Sequence, residues 1–148
     1  MLDHLRREDP YLRLHEGNLS EFWVALEGVS HFIYLLWNVA GKRSVTQLEL
    51  ELQAEVDKYV TSLIMLWHEQ NCGVPVQLHN RLFDNAHFDA ALDDDGLERY
   101  RDANRYAARY CGKLASQHTL TYHNDRLIDE LRHFYRLPQP EKIRYIDA

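Results

Sequence analysis

The sequence is poor in residues that interrupt helices and in residues that cross-link chains. Its 148 residues include four prolines and six glycines, a scarcity that favours long helices over many short strands. The two cysteines, Cys72 and Cys111, are too few for a disulfide framework and indicate a reduced, cytoplasmic protein. The stretch MLDHLRREDP lacks the apolar core of a secretory signal, and no apolar run is long enough to cross a bilayer, so no membrane partner is expected.

The sequence also lacks an excess of positive charge and the common catalytic motifs. With 17 basic and 23 acidic residues its formal net charge is −6, which argues against non-specific nucleic-acid binding. There is no GxxxxGK[ST] loop, no GxGxxG, no GxSxG and no CxxC pair. The one Glu-x-x-His unit, Glu130–His133, points away from the apolar side of its helix. We therefore expect neither a cofactor nor a metal.

What is present is a long helical period of apolar residues. It predicts an all-α fold, a single four-helix-bundle-like domain over residues 1–148. Four long helices are expected at 20–40, 45–71, 97–117 and 124–137. The remaining segments are predicted to be an amino-terminal arm at 1–17, a short extra helix or loop at 76–92, and a carboxy-terminal tail without helix at 138–148.

The first long helix is apolar around most of its circumference. Its broad apolar side is expected to face the core, together with apolar residues of the other helices. The residues predicted to be buried are Leu26, Val29, Ile33, Leu52, Val56, Leu63, Tyr110, Leu131 and Phe134. The polar side chains of this helix share one narrow stripe, formed by Glu27, His31, Tyr34 and Asn38. We favour a stripe that faces water, and the alternative is a buried polar network or the lining of a small pocket.

The helix predicted at 20–40 and the end of the helix predicted at 45–71 carry more apolar surface than packing within a single bundle would bury. Large exposed apolar patches mark interfaces in most soluble proteins. We therefore expect a second copy or another protein to cover Trp23, Val24, Leu35 or Met65.

The stretch RYRDANRYAARYCGK, residues 99–113, combines tyrosines with basic residues. On a helix Arg101, Arg105 and Arg109 form one row, and Tyr106 and Tyr110 lie on the opposite side. We favour the interpretation that the basic residues form the solvent-exposed side of a helix whose opposite side faces the core. The alternative is a docking site for an acidic partner or for a second copy.

The segment RLFDNAHF resembles a ribonuclease motif. Arg81-x5-His87 fits the R-x4–6-H pattern of the HEPN ribonucleases, which are helical and cleave RNA without metal. Arg126-x6-His133 fits it too, and about two matches are expected by chance in a chain of this composition. The resemblance implies His87 as general base and Arg81 as the group that steadies the phosphate. Nucleic acid is expected as a partner only under this alternative.

Since no catalytic constellation exceeds chance, the sequence favours binding over catalysis. We expect a small cytoplasmic interaction or regulatory subunit that self-associates. The alternatives are the HEPN-like ribonuclease, a helical bundle that binds a small ligand, and a metal site.

Overall fold

A computed structural model describes residues 1–70, 76–84, 93–117 and 124–148, and this part of the chain is all-α. The helices are α1 (Leu2–Arg7), α2 (Glu16–Ala40), α3 (Gln47–Gln70), α4 (Val76–His79), α5 (Asp94–Gln117), α6 (Asp125–Arg136) and α7 (Gln139–Asp147). A π-helical turn, Asn80–Asp84, continues α4. The four long predicted helices correspond to α2, α3, α5 and α6, and the bundle-like all-α prediction is confirmed.

Helix α2 begins earlier than the sequence predicts. Its N-cap is His15, whose Nδ1 accepts a hydrogen bond from the backbone N–H of Gly17 at 3.0 Å. Asn18 completes a capping box, because its Oδ1 accepts from the His15 backbone N–H at 2.9 Å. The Asn18 amide also donates to the carbonyl oxygens of Glu8 and Arg13, at 3.0 and 2.8 Å. Asn18 therefore ties the amino-terminal segment to the start of α2.

The prediction of a tail without helix at 138–148 is wrong, because this segment contains α7. Pro138 is the N-cap of α7 and Pro140 lies in its first turn, where the missing proline N–H costs no helical hydrogen bond. Ile146 is fully buried, and Lys113 Nζ donates to its carbonyl oxygen at 2.6 Å. Pro138 and Pro140 thus mark the start of a helix rather than a segment without helix.

The segments predicted with less definition are also partly helical. The amino-terminal arm contains α1, and His4 Nδ1 lies 2.7 Å from Glu21 Oε2 on α2. The short element predicted at 76–92 is present as α4 and the π-turn, which bury Leu82 and Phe83. Residues 85–92 lie outside the described part of the chain.

Helix α3 is the centre of the fold, because it packs against α2 on one side and α5 on the other. Leu52, Val56, Tyr59 and Leu63 of α3 are at most 2% exposed. The core residues contributed by the other described elements are Leu78, Leu82, Phe83, Ala103, Ala107, Tyr110, Cys111, Leu114, Leu127, Phe134 and Ile146. The stacked rings of Tyr110 and Phe134, with centroids 3.7 Å apart, join α5 to α6.

The predicted core is confirmed on α3 and α5 and at Phe134 of α6, but not on α2. Val29 and Ile33, predicted to be buried, are 51% and 52% exposed. Leu26 and Leu131 are only partly buried. The physical reason is that α2 turns its polar side, not its apolar side, toward α3. No described helix is both long enough and apolar enough to cross a membrane.

Candidate functional site

The contact between α2 and α3 is polar over most of its length, and we call the polar side chains buried there the polar seam. On α2 the seam consists of Glu27, Ser30, His31, Tyr34 and Asn38. On α3 it consists of Glu49, Glu51, Gln53, Glu55, Asp57 and Lys58. The favoured prediction that the α2 stripe faces water is therefore wrong, and the alternative of a buried polar network describes the stripe.

Near the carboxyl end of α2 the seam is built around Glu49, which is 2% exposed. Glu49 Oε1 accepts hydrogen bonds from the Tyr34 hydroxyl and from Arg43 Nη2, both at 2.5 Å. Its Oε2 accepts from the backbone N–H of Gln139 at 3.2 Å. Arg43 Nε also donates to Asn38 Oδ1 at 2.6 Å. One carboxylate thus joins α2, the α2–α3 connection, α3 and the start of α7.

In the middle of the seam a chain of hydrogen bonds leads from α2 through α3 to α7. Ser30 Oγ donates to Asp57 Oδ2 at 2.6 Å, and Gln53 Nε2 donates to Asp57 Oδ1 at 2.9 Å. Lys142 Nζ of α7 donates to Gln53 Oε1 at 2.8 Å and to the Phe134 carbonyl oxygen at 2.6 Å. Burial raises the pKa of Asp57 and lowers the pKa of Lys142 to about 7.

Nearer the amino-terminal half of α2 the seam becomes a cluster of charges. Lys58 Nζ donates to Glu27 Oε2 at 2.5 Å and to Glu55 Oε1 at 2.8 Å. Burial lowers the pKa of Lys58, but Glu55 and Glu27 more than offset this, and the pKa lies above its ordinary value. Burial raises the pKa of Glu55. The ammonium group of Lys58 and the carboxylates of Glu27 and Glu55 are therefore held together in a region that is largely shielded from solvent.

His31 lies in the same cluster and faces Glu51. His31 Nε2 is 3.3 Å from Glu51 Oε2, and this contact raises the pKa of the imidazole while burial opposes the rise. The geometry of the contact is not that of a hydrogen bond, and Nε2 is enclosed without a hydrogen-bond partner in the described residues. The Tyr100 hydroxyl of α5 lies beside Glu51, and its pKa is raised by burial and by the carboxylates of Glu51 and Glu27.

Three of these groups could hold a metal ion. One ligand atom each from Glu27, His31 and Glu51 lies within 4.8 Å of the other two. Sequence analysis identified Glu27 and His31 as part of the polar stripe of this helix, but it did not identify Glu51, Glu55 and Lys58 of α3 as their partners. A usable signal exists in the sequence. The short connection between α2 and α3 makes the two helices antiparallel, so the polar stripe of α2 can lie against the charged residues of α3.

The opposite side of α2, which we call the outer face, is apolar and exposed. Phe32, Leu36 and Val39 are 67%, 60% and 66% exposed. The other large apolar side chains exposed on this helix are Val24, Val29, Ile33, Leu35 and Trp37. Val29, Phe32, Leu36 and Val39 succeed one another at intervals of three, four and three residues, the spacing of a coiled-coil seam.

Two features extend the outer face. A Cβ built on Gly28 would meet no atom within 4 Å, so this position leaves room for close approach by another element. At the carboxyl end, Trp37 also lines a groove with a volume of about 370 Å³. The other residues lining the groove are Ile128, Leu131, Arg132, Tyr135 and Arg136 of α6.

The predicted arginine row is exposed as expected. Arg101, Arg105 and Arg109 are exposed, Tyr106 is half-buried and Tyr110 is 2% exposed. Arg105 pairs with Asp102 at 2.8 Å, and Arg109 pairs with Asp147 of α7 at 2.6 Å. The docking of an acidic partner on this row stays a prediction.

Replacing Arg101, Arg105 and Arg109 together by glutamine should change the free energy of unfolding by less than about 1 kcal/mol, because exposed ion pairs contribute little. Urea denaturation of the wild type and of the triple variant measures the difference. A loss of several kcal/mol would show that the row is structural. If the row docks an acidic partner, the same variant weakens that association, and added salt weakens the wild-type association.

The remaining predicted residues are dispersed. Trp23 is half-buried, and its Nε1 donates to Ser62 Oγ at 2.9 Å, so its ring belongs to the contact with α3. Arg81 pairs with Glu16 Oε1 at 2.7 Å, and His87 lies outside the described residues. Met65 is half-buried.

Comparisons with models of protein families, with curated proteins and with solved structures find no match for this chain.

Proposed function

We propose that this protein is a cytoplasmic interaction subunit that self-associates, and that the outer face of α2 is the surface through which two copies bind. The observation that supports the proposal is the side of α2 that faces α3, which is the polar side and not the apolar side that the sequence predicts. Its polar residues are buried against α3, and eight large apolar side chains are left exposed along the helix. Monomeric soluble proteins rarely expose a contiguous apolar surface of this kind.

The spacing of the exposed residues favours another helix as the occupant. Intervals of three and four residues place Val29, Phe32, Leu36 and Val39 along one line that a second helix can follow. From Val29 to Val39 this line rises by about 15 Å along the helix, which is nearly three turns of contact. A second α2 presents the same line, and a two-fold axis brings each copy of it against the other.

The charge distribution disfavours a membrane as the occupant. Helices that lie on anionic lipid surfaces carry lysine and arginine beside the apolar side. From Glu16 to Ala40, α2 has no lysine and no arginine, and it has three glutamates. Two such uncharged apolar faces can meet without burying an unpaired charge.

Light scattering during size-exclusion chromatography tests the proposal. We expect the wild type to be a dimer at micromolar concentration. The double variant Phe32→Glu, Leu36→Glu should be a monomer, because two carboxylates per copy would be buried without partners in the dimer. Both side chains are exposed in the single chain, so the helical circular dichroism spectrum of the variant should be unchanged.

The matched control is Tyr11→Glu, Leu12→Glu. These side chains are 87% and 76% exposed and precede α2, so the same change in charge is made outside the outer face. This variant should remain dimeric. A wild type that is monomeric at hundreds of micromolar, or a dimer that both double variants retain, would contradict the proposal.

A further inference from the structure

The charged cluster on the inner side of α2 has the composition of a metal site. Glu27 and His31 are four residues apart on α2 and therefore project from the same side of the helix on successive turns. Glu51 reaches them from α3. The three ligand atoms lie within 4.8 Å of one another, and the three residues are buried or half-buried.

The distances within the cluster suit a transition metal. His31 Nε2 and Glu51 Oε2 are 3.3 Å apart. Two ligands that each lie about 2.1 Å from a tetrahedral zinc ion are separated by about 3.4 Å. A rotation of the Glu27 side chain would bring its carboxylate to the same ion, because the present limit of 4.8 Å is within reach of a flexible glutamate.

The imidazole supplies an independent observation. His31 Nε2 is enclosed by protein and lies 3.3 Å from Glu51 Oε2 and within 4.8 Å of a Glu27 carboxylate oxygen, but no described residue forms a hydrogen bond with it. Buried polar atoms without a partner are rare in folded proteins and need a physical reason. A metal ion bound at Nε2 would satisfy this atom.

The charges of the cluster also balance with one divalent cation. Lys58 now bridges Glu27 and Glu55, at 2.5 and 2.8 Å. If Glu27 and Glu51 bind a divalent ion, their two negative charges are neutralised, and Glu55 keeps Lys58 as its partner. Lys58 therefore competes with the metal for Glu27, and Lys58 is not itself a ligand of the metal.

We propose that Glu27, His31 and Glu51 form a binding site for one divalent transition-metal ion, with its remaining coordination position open to water. The donor set of one imidazole and two carboxylates suits Zn²⁺, Fe²⁺, Mn²⁺ or Co²⁺ more than Ca²⁺, which prefers oxygen ligands only. Tyr100, beside Glu51, would orient that carboxylate. The site lies on the side of α2 opposite the outer face, so it does not depend on self-association.

Isothermal titration of the metal-free full-length protein with Zn²⁺ tests the site. The wild type should bind one ion per chain. His31→Ala should weaken the binding at least about tenfold, as even the loss of groups that only orient a ligand has this effect. The matched control is His133→Ala on α6, an exposed histidine that should leave the affinity unchanged. Circular dichroism verifies that each variant is folded, and His31→Gln replaces His31→Ala if alanine prevents folding.

Lys58→Met separates the proposed site from adventitious binding to surface histidines. It removes the cation that competes for Glu27, so the variant should bind Zn²⁺ at least several-fold more tightly than the wild type does. An adventitious site would not respond to this change. Titration with Co²⁺ should give a visible absorption band that is lost in His31→Ala. The absence of bound metal, or equal affinities in the wild type and in His31→Ala, would overturn the proposal.

Discussion

Replacement of Glu49 by alanine should lower the free energy of unfolding by about 3–5 kcal/mol, the cost of leaving one partner of a buried ion pair unpaired. Glu49 is 2% exposed and accepts hydrogen bonds from Tyr34, Arg43 and the Gln139 backbone. The variant leaves the Arg43 guanidinium, which is 27% exposed, without its carboxylate. For a chain of this length the melting temperature should fall by roughly 10 °C.

Urea denaturation of matched variants measures this effect. Asp129→Ala is the control, because Asp129 is 79% exposed and its contact with Arg132 is 3.8 Å long. It should change stability by less than about 0.5 kcal/mol. Removing both charges in Arg43→Met, Glu49→Leu should restore part of the stability that Glu49→Ala loses. A loss below about 1 kcal/mol in Glu49→Ala would show that the pair of Glu49 and Arg43 does not anchor the contact between α2 and α3.

The sequence predicts the long helices well because their limits depend on local signals. The spacing of apolar residues, Gly41 after α2 and Pro138 after α6 are all read without knowledge of the tertiary structure. Helix α7 is missed because it is held by contacts made at a distance, such as the burial of Ile146 and of Lys142. A proline that ends one helix can also begin the next, and local pattern alone does not distinguish these cases.

The orientation of α2 is not predicted correctly because the usual rule weighs only hydrophobicity. Apolar residues cover most of this helix, so its apolar side is assigned to the core. The polar stripe is buried because α3 supplies a partner for nearly every group in it. Glu27 meets Lys58, Ser30 meets Asp57 and Tyr34 meets Glu49. Polar complementarity between two helices is therefore the information that a single-helix pattern lacks.

This orientation connects the seam to the proposed interface. Because the seam uses the polar residues of α2 inside the chain, the apolar residues remain for association. If an apolar side of α2 faced α3, Glu49, Asp57 and Lys58 would lose their partners and remain buried. The seam thus fixes which side of α2 is presented to a second copy.

Raising the pH from 7 to 9.5 should stabilise the wild type by about 3 kcal/mol more than it stabilises Lys142→Met. Lys142 is fully buried, and burial, partly opposed by Glu49 and Asp57, lowers its pKa from 10.5 to about 7. The unfolded chain keeps this proton up to pH 10.5, whereas the folded chain releases it near pH 7. Between these values the unfolded state binds more protons, so stability rises with pH.

The difference between the two proteins isolates Lys142 from other groups that titrate nearby. His31, whose pKa is raised, contributes stability that is lost as pH rises through its folded pKa, and the ionisation of Cys111 in the unfolded state opposes folding above pH 9. Both effects are common to the wild type and to Lys142→Met and cancel. Lys142→Met also loses the hydrogen bonds to Gln53 and Phe134, which lowers its free energy of unfolding by an amount that does not vary with pH. Urea denaturation at pH 7 and 9.5 gives the comparison, with the exposed Lys42→Met expected to follow the wild type. A difference between wild type and Lys142→Met that is the same at both pH values would show that Lys142 stays charged in the folded protein.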